Sequence, residues 1–77
     1  MSRSDAYSLN KKLQRILVEF RTRQGLTQID VAKRLKKPQS FVSKYETGER
    51  RLSVGDFVLV CAALGVVPEK IMVQLKP

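Results

Sequence analysis

Apolar residues recur every three or four positions along the first third of the chain, which is the spacing of one face of an α-helix. The residues on this face are Leu9, Leu13, Ile16, Leu17 and Phe20. Gly25 follows them, and glycine is common where a helix ends in a left-handed conformation. The pattern predicts a first helix from Ser8 to Gln24, preceded by a short polar arm over residues 1–7.

Two shorter patterns follow, separated by a cationic turn. Thr27 and Asp30 have the spacing of a capping box, in which each side chain accepts a hydrogen bond from the other residue's backbone N–H, so a second helix is predicted to begin there. Pro38 interrupts this helix, because the residue before a proline avoids the helical conformation. Apolar residues then return at helical spacing and predict a third helix from Gln39 to Tyr45.

The last third of the chain contains signals for two further helices. Ser53 and Asp56 repeat the capping spacing, and Gly65 stands where the fourth helix is expected to end. Pro68 fits the first position of a fifth helix, which is predicted to continue over residues 69–75. Since no useful stretch alternates between apolar and polar residues, we expect an all-α fold, with one compact five-helix domain over residues 8–77.

The charge of the chain narrows its possible partners. The 77 residues carry a formal net charge of +8, and the segment from Lys33 to Arg51 contains seven cationic and two acidic side chains. A small domain this basic is attracted to polyanions, either nucleic acid or an anionic membrane surface. The second and third helices of this segment have the layout of a helix-turn-helix, whose second helix can enter the major groove of DNA.

Residues typical of catalytic, disulfide or metal-binding sites are scarce in the sequence. The sequence has no histidine, and its single cysteine, Cys61, can form no disulfide within the chain. It also lacks a glycine-rich phosphate loop and paired carboxylates at helical spacing, so we expect no enzyme activity, no cofactor and no metal. The longest nearly apolar stretch, residues 57–67, is too short to span a bilayer, and no signal peptide is recognisable. We therefore expect a cytoplasmic, nucleoid-associated protein with no membrane partner.

Three motifs resemble the phage repressor and Cro-type helix-turn-helix family, also called the XRE family. They are Gly-Leu-Thr-Gln at residues 25–28, Val-Ser-Lys-Tyr-Glu-Thr-Gly at residues 42–48 and Ala-Leu-Gly-Val at residues 63–66. The resemblance extends over about residues 9–75 and implies a lambda-repressor-like fold. It also implies a sequence-specific regulator of transcription, expected to be a repressor, whose partner is double-stranded DNA.

The resemblance assigns roles to residues that match the family pattern. Arg21 and Glu46 are expected to form a structural ion pair that braces the third helix. Gln28 is expected to bind a phosphate at the start of the second helix. The residues expected to face base edges, from the outward face of the third helix, are Gln39, Ser40, Ser43 and Lys44. Among these, Gln39 suits adenine, because its amide offers one donor and one acceptor.

Four further cations flank the third helix, and their charge makes them candidates for phosphate contacts. Two of them, Lys36 and Lys37, precede this helix. The other two, Arg50 and Arg51, follow it, and for these a local ion pair with Glu46 or Glu49 is equally compatible with the sequence.

The turn before the third helix departs from the family pattern, which has a glycine, an apolar residue and a small capping residue. This chain has Lys36, Lys37 and Pro38 instead. A left-handed conformation at a residue other than glycine costs roughly 1 kcal/mol, and proline has no side-chain oxygen with which to cap a helix. The geometry of this turn is therefore not determined by the resemblance.

One helix-turn-helix reads only a few base pairs, so a homodimer on a palindromic operator is expected, with half-sites about 34–36 Å apart. The last helix offers Ile71, Met72 and Leu75, which either close the core or form the dimer patch. Three alternatives share this fold and size: a restriction–modification controller, the antitoxin of a toxin–antitoxin pair, and an adaptor that bridges proteins in a transcription complex.

Overall fold

Five α-helices follow one another along residues 5–76, which are the residues that the computed structural model describes. They are α1 (Ala6–Arg23), α2 (Gln28–Leu35), α3 (Gln39–Thr47), α4 (Val54–Leu64) and α5 (Pro68–Met72). No strand occurs within residues 5–76. The predicted all-α, five-helix architecture is confirmed.

Helix α1 begins two residues earlier than predicted. The Asp5 side chain accepts a hydrogen bond from the backbone N–H of Ser8 at 2.9 Å, which caps the helix and places Ala6 and Tyr7 in its first turn. Ala6 and Tyr7, which the sequence analysis placed in the arm, are therefore part of α1. The rest of the predicted arm, residues 1–4, lies outside the described residues.

The capping box of α2 forms as the sequence predicts, whereas at α4 only its Ser53 half forms among the described residues. The backbone N–H of Asp30 donates to the Thr27 hydroxyl at 3.0 Å, and that of Thr27 donates to the Asp30 carboxylate at 2.8 Å. The backbone N–H of Thr27 and then its side chain lower the pKa of Asp30, because hydrogen bonds to the carboxylate favour its charged form. The Ser53 hydroxyl accepts from the backbone N–H of Asp56 at 3.1 Å.

The C-terminal ends of α3 and α5 differ from the prediction. Helix α3 continues two residues past Tyr45, until Gly48 leaves the helix with a φ of +88°. Helix α5 ends at Met72 instead of Leu75. Beyond it, the backbone N–H groups of Gln74 and Leu75 donate to carbonyls three residues earlier, at 2.9 and 3.0 Å, so the chain tightens into turns after α5.

Buried residues from all five helices form one core, to which α1 contributes Ile16 and Leu17. The other core residues are Val31, Ala32, Phe41, Val42, Tyr45, Phe57, Val60, Cys61, Leu64 and Ile71. Leu52, in the loop after α3, packs partly buried against this core. Because truncating a buried leucine costs about 2–5 kcal/mol, Leu17→Ala would weaken the packing of α1 against α3.

The turn between α2 and α3 has the strained conformation that its sequence suggests. Lys36 is left-handed, with φ 56° and ψ 42°, and is the single non-glycine residue with positive φ within residues 5–76. The backbone N–H of Lys37 closes the end of α2 by donating to the carbonyl of Ala32 at 3.0 Å. Pro38 precedes α3 and supplies no side-chain cap. The turn therefore sets the direction of α3 at a small cost in backbone energy.

Candidate nucleic-acid interface

Helix α3 separates an apolar face from a polar one. Phe41, Val42 and Tyr45 are buried, and the rings of Phe41 and Tyr45 meet edge to face with centroids 5.8 Å apart. Burial raises the pKa of Tyr45, because the core disfavours a phenolate. On the other side, Gln39, Ser40 and Lys44 are exposed, while Ser43 is half-buried. The predicted base-reading residues therefore share one outward face.

Arg21 and Glu46 join α1 to the end of α3. The guanidinium donates from Nε to Oε2 at 2.6 Å and from Nη2 to Oε1 at 3.0 Å, and it also donates from Nη1 to the carbonyl of Leu26 at 2.9 Å. The two side chains are 14% and 6% exposed, respectively. The bond to Glu46 raises the pKa of Arg21, because it favours the charged guanidinium. This pair occupies the position that the resemblance assigned to it.

The same carboxylate begins a chain of amide side chains that ends on α3. Gln28 donates from Nε2 to Oε1 of Glu46 at 2.9 Å, and its own Oε1 accepts from Nε2 of Gln39 at 3.3 Å. An amide nitrogen carries two hydrogens, so the bond to Glu46 is compatible with the phosphate contact predicted for Gln28, which stays a prediction. The sequence analysis did not find this link from Glu46 to Gln39, because its partners are 18 and 11 residues apart.

Two of the flanking cations lie against the ring of Phe41. The ammonium of Lys37 lies 5.5 Å from the ring centroid, and the guanidinium of Arg50 lies 4.8 Å from it. Cations at these distances from an aromatic face are attracted to it, which restricts where their side chains point. We call the four exposed cations that flank α3 the cationic rim; they are Lys36, Lys37, Arg50 and Arg51.

The ion pairs around the rim differ from those the sequence suggested. Arg50 pairs with Asp56, at 3.5 Å, and not with Glu46 or Glu49. Glu49 instead lies 4.0 Å from the ammonium of Lys44. Both pairs are exposed on at least one side, and exposed pairs contribute at most about 1 kcal/mol. They would yield readily to a phosphate or a base.

Of the two roles left open for the last helix, Ile71 closes the core, since it is 0% exposed. Leu75 packs partly buried against the same core, so only Met72, at 56% exposure, projects outward. The sequence analysis missed Val54, which is 82% exposed. Val54 and Met72 line one apolar cleft of about 150 Å³. The overlooked signal is the composition of α4, whose residues are apolar on nearly every side.

No helix formed by residues 5–76 combines the length and the apolar character that crossing a bilayer requires.

Comparison with known proteins identifies the family. The profile of the family described as Helix-turn-helix matches residues 17–71, which include α2, the turn and α3. A solved structure of an XRE-family like protein from Pseudomonas syringae pv. tomato is 40% identical, with a TM-score of 0.86, and the match covers 90% of this chain and 84% of that one. This chain belongs to the XRE-type helix-turn-helix family. The family consists of DNA-binding proteins that regulate transcription.

Two further solved structures resemble this XRE-family chain. The clp gene regulator ClgR from C. glutamicum is 25% identical with a TM-score of 0.79, over 87% of each chain. The restriction-modification controller protein C.Esp1396I, solved as a tetramer in complex with its natural 35-base-pair operator, is 24% identical with a TM-score of 0.80, over 87% of this chain and 88% of that one. The second likeness shows the fold alone. No curated protein matches the chain.

Proposed function

We propose that this XRE-family protein is a sequence-specific repressor of transcription that inserts α3 into the major groove of double-stranded DNA. The observation that carries the proposal is the outward face of Gln39, Ser40 and Lys44, with the cations of the rim before and after it in the chain. The major groove of B-DNA is wide enough to admit a helix, and each base pair presents a distinct pattern of donors and acceptors there.

The amide chain behind α3 explains how Gln39 would read a base. One hydrogen of its Nε2 is committed to Gln28, which is itself held by Glu46. The second hydrogen and the carbonyl oxygen of Gln39 then form a donor–acceptor pair of fixed orientation. This pair is complementary to N7 and the N6 amino group of adenine. Holding the amide in place before binding reduces the conformational entropy that is lost on contact.

The cationic rim would supply affinity that does not depend on sequence. Each lysine or arginine that meets a phosphate releases condensed counterions, so affinity falls as salt rises. Lys37 and Arg50 are already restricted by the ring of Phe41, and they lie on opposite sides of α3 in the chain. Phosphates flanking the base-read site are therefore their expected partners, as they are for Lys36 and Arg51.

We further propose that the protein binds as a homodimer to a palindromic operator, acting on the nucleoid in the cytoplasm. The outward apolar residues Val54 and Met72 support a dimer interface that uses the start of α4 and the end of α5. Repression would follow if the occupied operator overlaps a promoter. C.Esp1396I was solved as a tetramer on its operator, but the likeness shows the fold alone and gives no reason to prefer a restriction–modification controller.

Selection of bound duplexes from a randomised pool tests this function. We expect the selected sequences to share a two-fold symmetric site with adenine at a fixed position in each half. Affinity for the selected site should fall steeply with salt and should exceed affinity for a scrambled duplex. A weak, salt-insensitive response with no enriched sequence would favour the protein adaptor. Strong enrichment without symmetry would contradict the dimer but not base reading.

A further inference from the structure

A polar cleft lies between the first turns of α1 and the end of α3. Its volume is about 240 Å³. Helix α1 lines it with Tyr7, Asn10, Lys11 and Gln14, and the end of α3 and the following loop line it with Gly48 and Arg51. We call it the α1–α3 cleft. None of the roles assigned above involves its α1 side.

The chemistry of the α1–α3 cleft fits an anion. Its lining includes two cations, Lys11 and Arg51, and no carboxylate among the described residues. The two acidic residues next to the lining in the chain are engaged elsewhere: Glu46 accepts from Arg21 and Gln28, and Glu49 lies near Lys44. The ammonium of Lys11 lies 5.9 Å from the ring centroid of Tyr7, an attraction that restricts its position. The remaining donors are side-chain amides and hydroxyls, which commonly bind phosphate oxygens.

Gly48 brings the two walls of the cleft close together. A Cβ at this position would lie 2.9 Å from Nε2 and 3.0 Å from Oε1 of Gln14, so only glycine lets the end of α3 approach α1 without moving that side chain. Gly48 is also left-handed, which turns the chain towards Arg50 and Arg51. The cleft is thus continuous with the cationic rim through Arg51.

We propose that the α1–α3 cleft binds a backbone phosphate of the same DNA duplex, outside the base pairs read by α3. This inference rests on the proposed function, because it requires α3 to lie in the groove. A duplex in that position presents a regular row of phosphates beside the helix, and the cleft extends the cationic rim along that row. The partner is a phosphodiester, and its recognition is independent of base sequence.

The first test compares Lys11→Ala with Lys12→Ala, which removes the same charge one residue further along α1, at a position that does not line the cleft. We expect Lys11→Ala to reduce the slope of log affinity against log salt by about 0.9, equally for selected and scrambled duplexes. Lys12→Ala should change the slope less. Equal slopes for the two variants would overturn the inference. Lys11 is exposed and Lys12 half-buried, and equal melting temperatures would exclude a difference in folding.

The second test locates the phosphate. Single methylphosphonate substitutions in the selected duplex neutralise one phosphate at a time. At least one flanking position should weaken binding of the unchanged protein while leaving binding of Lys11→Ala unaffected. If every sensitive phosphate affects both proteins equally, the inference is wrong although the proposed function stands. If the unchanged protein binds no duplex, both are wrong. Inorganic phosphate alone, titrated against the protein, should bind far more weakly than the duplex; comparable binding would indicate a site for the free anion and contradict the inference.

Discussion

Arg21 and Glu46 are 25 residues apart in the chain and are joined by two parallel hydrogen bonds, of 2.6 and 3.0 Å. This geometry fixes the end of α3 against α1, and the same carboxylate orients Gln28 beneath Gln39. A contact that stabilises the fold therefore also orients the residue proposed to read a base. Substitutions of Glu46, Gln28 and Gln39 separate the contribution to stability from the contribution to base reading.

Glu46→Ala is expected to lower the free energy of unfolding by roughly 3–5 kcal/mol, because it leaves the guanidinium of Arg21 without its partner in a mostly buried position. The melting temperature should fall accordingly. Loss of DNA binding should follow from this instability. Glu19→Ala is the matched control, since it removes an exposed carboxylate from α1. A melting temperature that is the same for both variants would refute the bracing role.

Gln39→Ala is expected to weaken binding to the selected site by about 1–3 kcal/mol and to relax the preference at one base position. Gln28→Ala should produce a smaller loss at the same position, because Gln39 keeps its amide but loses the bond that orients it. The two losses should be less than additive in the double variant, as measured by fluorescence anisotropy. An equal loss on selected and scrambled duplexes would argue against base reading.

Lys36→Gly is expected to stabilise the fold by about 1 kcal/mol, because glycine adopts a left-handed conformation without the cost that a side chain imposes. It should at the same time weaken binding to all duplexes, since it removes a cation from the rim. Lys36→Ala loses the same charge but keeps the strain, so it should share only the second effect. Lys37→Ala should likewise weaken binding on every sequence and reduce the salt slope by about one unit.

Met72→Glu is expected to dissociate the proposed homodimer without unfolding the monomer, because the side chain is already 56% exposed. Sedimentation velocity would detect the change in mass. Ile29→Glu provides the control, since Ile29 is a similarly exposed apolar residue on α2, at 49%. An unchanged dimer fraction in Met72→Glu, or an equal loss in both variants, would place the interface elsewhere.

Alkaline pH is expected to destabilise the protein through its buried proton donors. Burial raises the pKa of Tyr45 above its ordinary value of 10.0 and that of Cys61 above 9.0, so the folded chain retains protons that the unfolded chain releases. The free energy of unfolding should therefore fall as pH rises above about 9. Tyr45→Phe should reduce this loss by about 1 kcal/mol near pH 10.5, as measured by urea unfolding at several pH values. Parallel pH profiles for the two proteins would contradict the assignment.

Local signals predict the starts of α2 and α4, whereas the contacts that join separate helices, and the Asp5 cap of α1, were missed. The capping partners Thr27 and Asp30 are three residues apart, so their spacing predicts their bonds. Glu46 and Glu49 were the predicted acidic partners of Arg50, yet the first turn of α4 places Asp56 beside it instead. A helix as short as α5 gives too few apolar positions to establish which side faces inward, so Ile71 and Met72 could not be distinguished.

The same limit applies to the candidate site. Its outward face follows from the helical spacing of Gln39, Ser40 and Lys44 and from the family resemblance. The link from Glu46 through Gln28 depends on the angle between α2 and α3, which the strained turn at Lys36 sets and the sequence did not determine. Predicting the α1–α3 cleft would likewise require the distance between the two helices. That distance is set by the close approach of Gly48 to Gln14, which the sequence does not show.

The hydrogen bond between Gln28 and Gln39 has a consequence for how this regulator could acquire a new target. A shorter or charged side chain at position 39 would leave the Gln28 oxygen facing an empty or mismatched neighbour. Altered operators are thus most accessible through paired substitutions, one on each helix, so that the preferred nucleotide and its supporting amide diverge together.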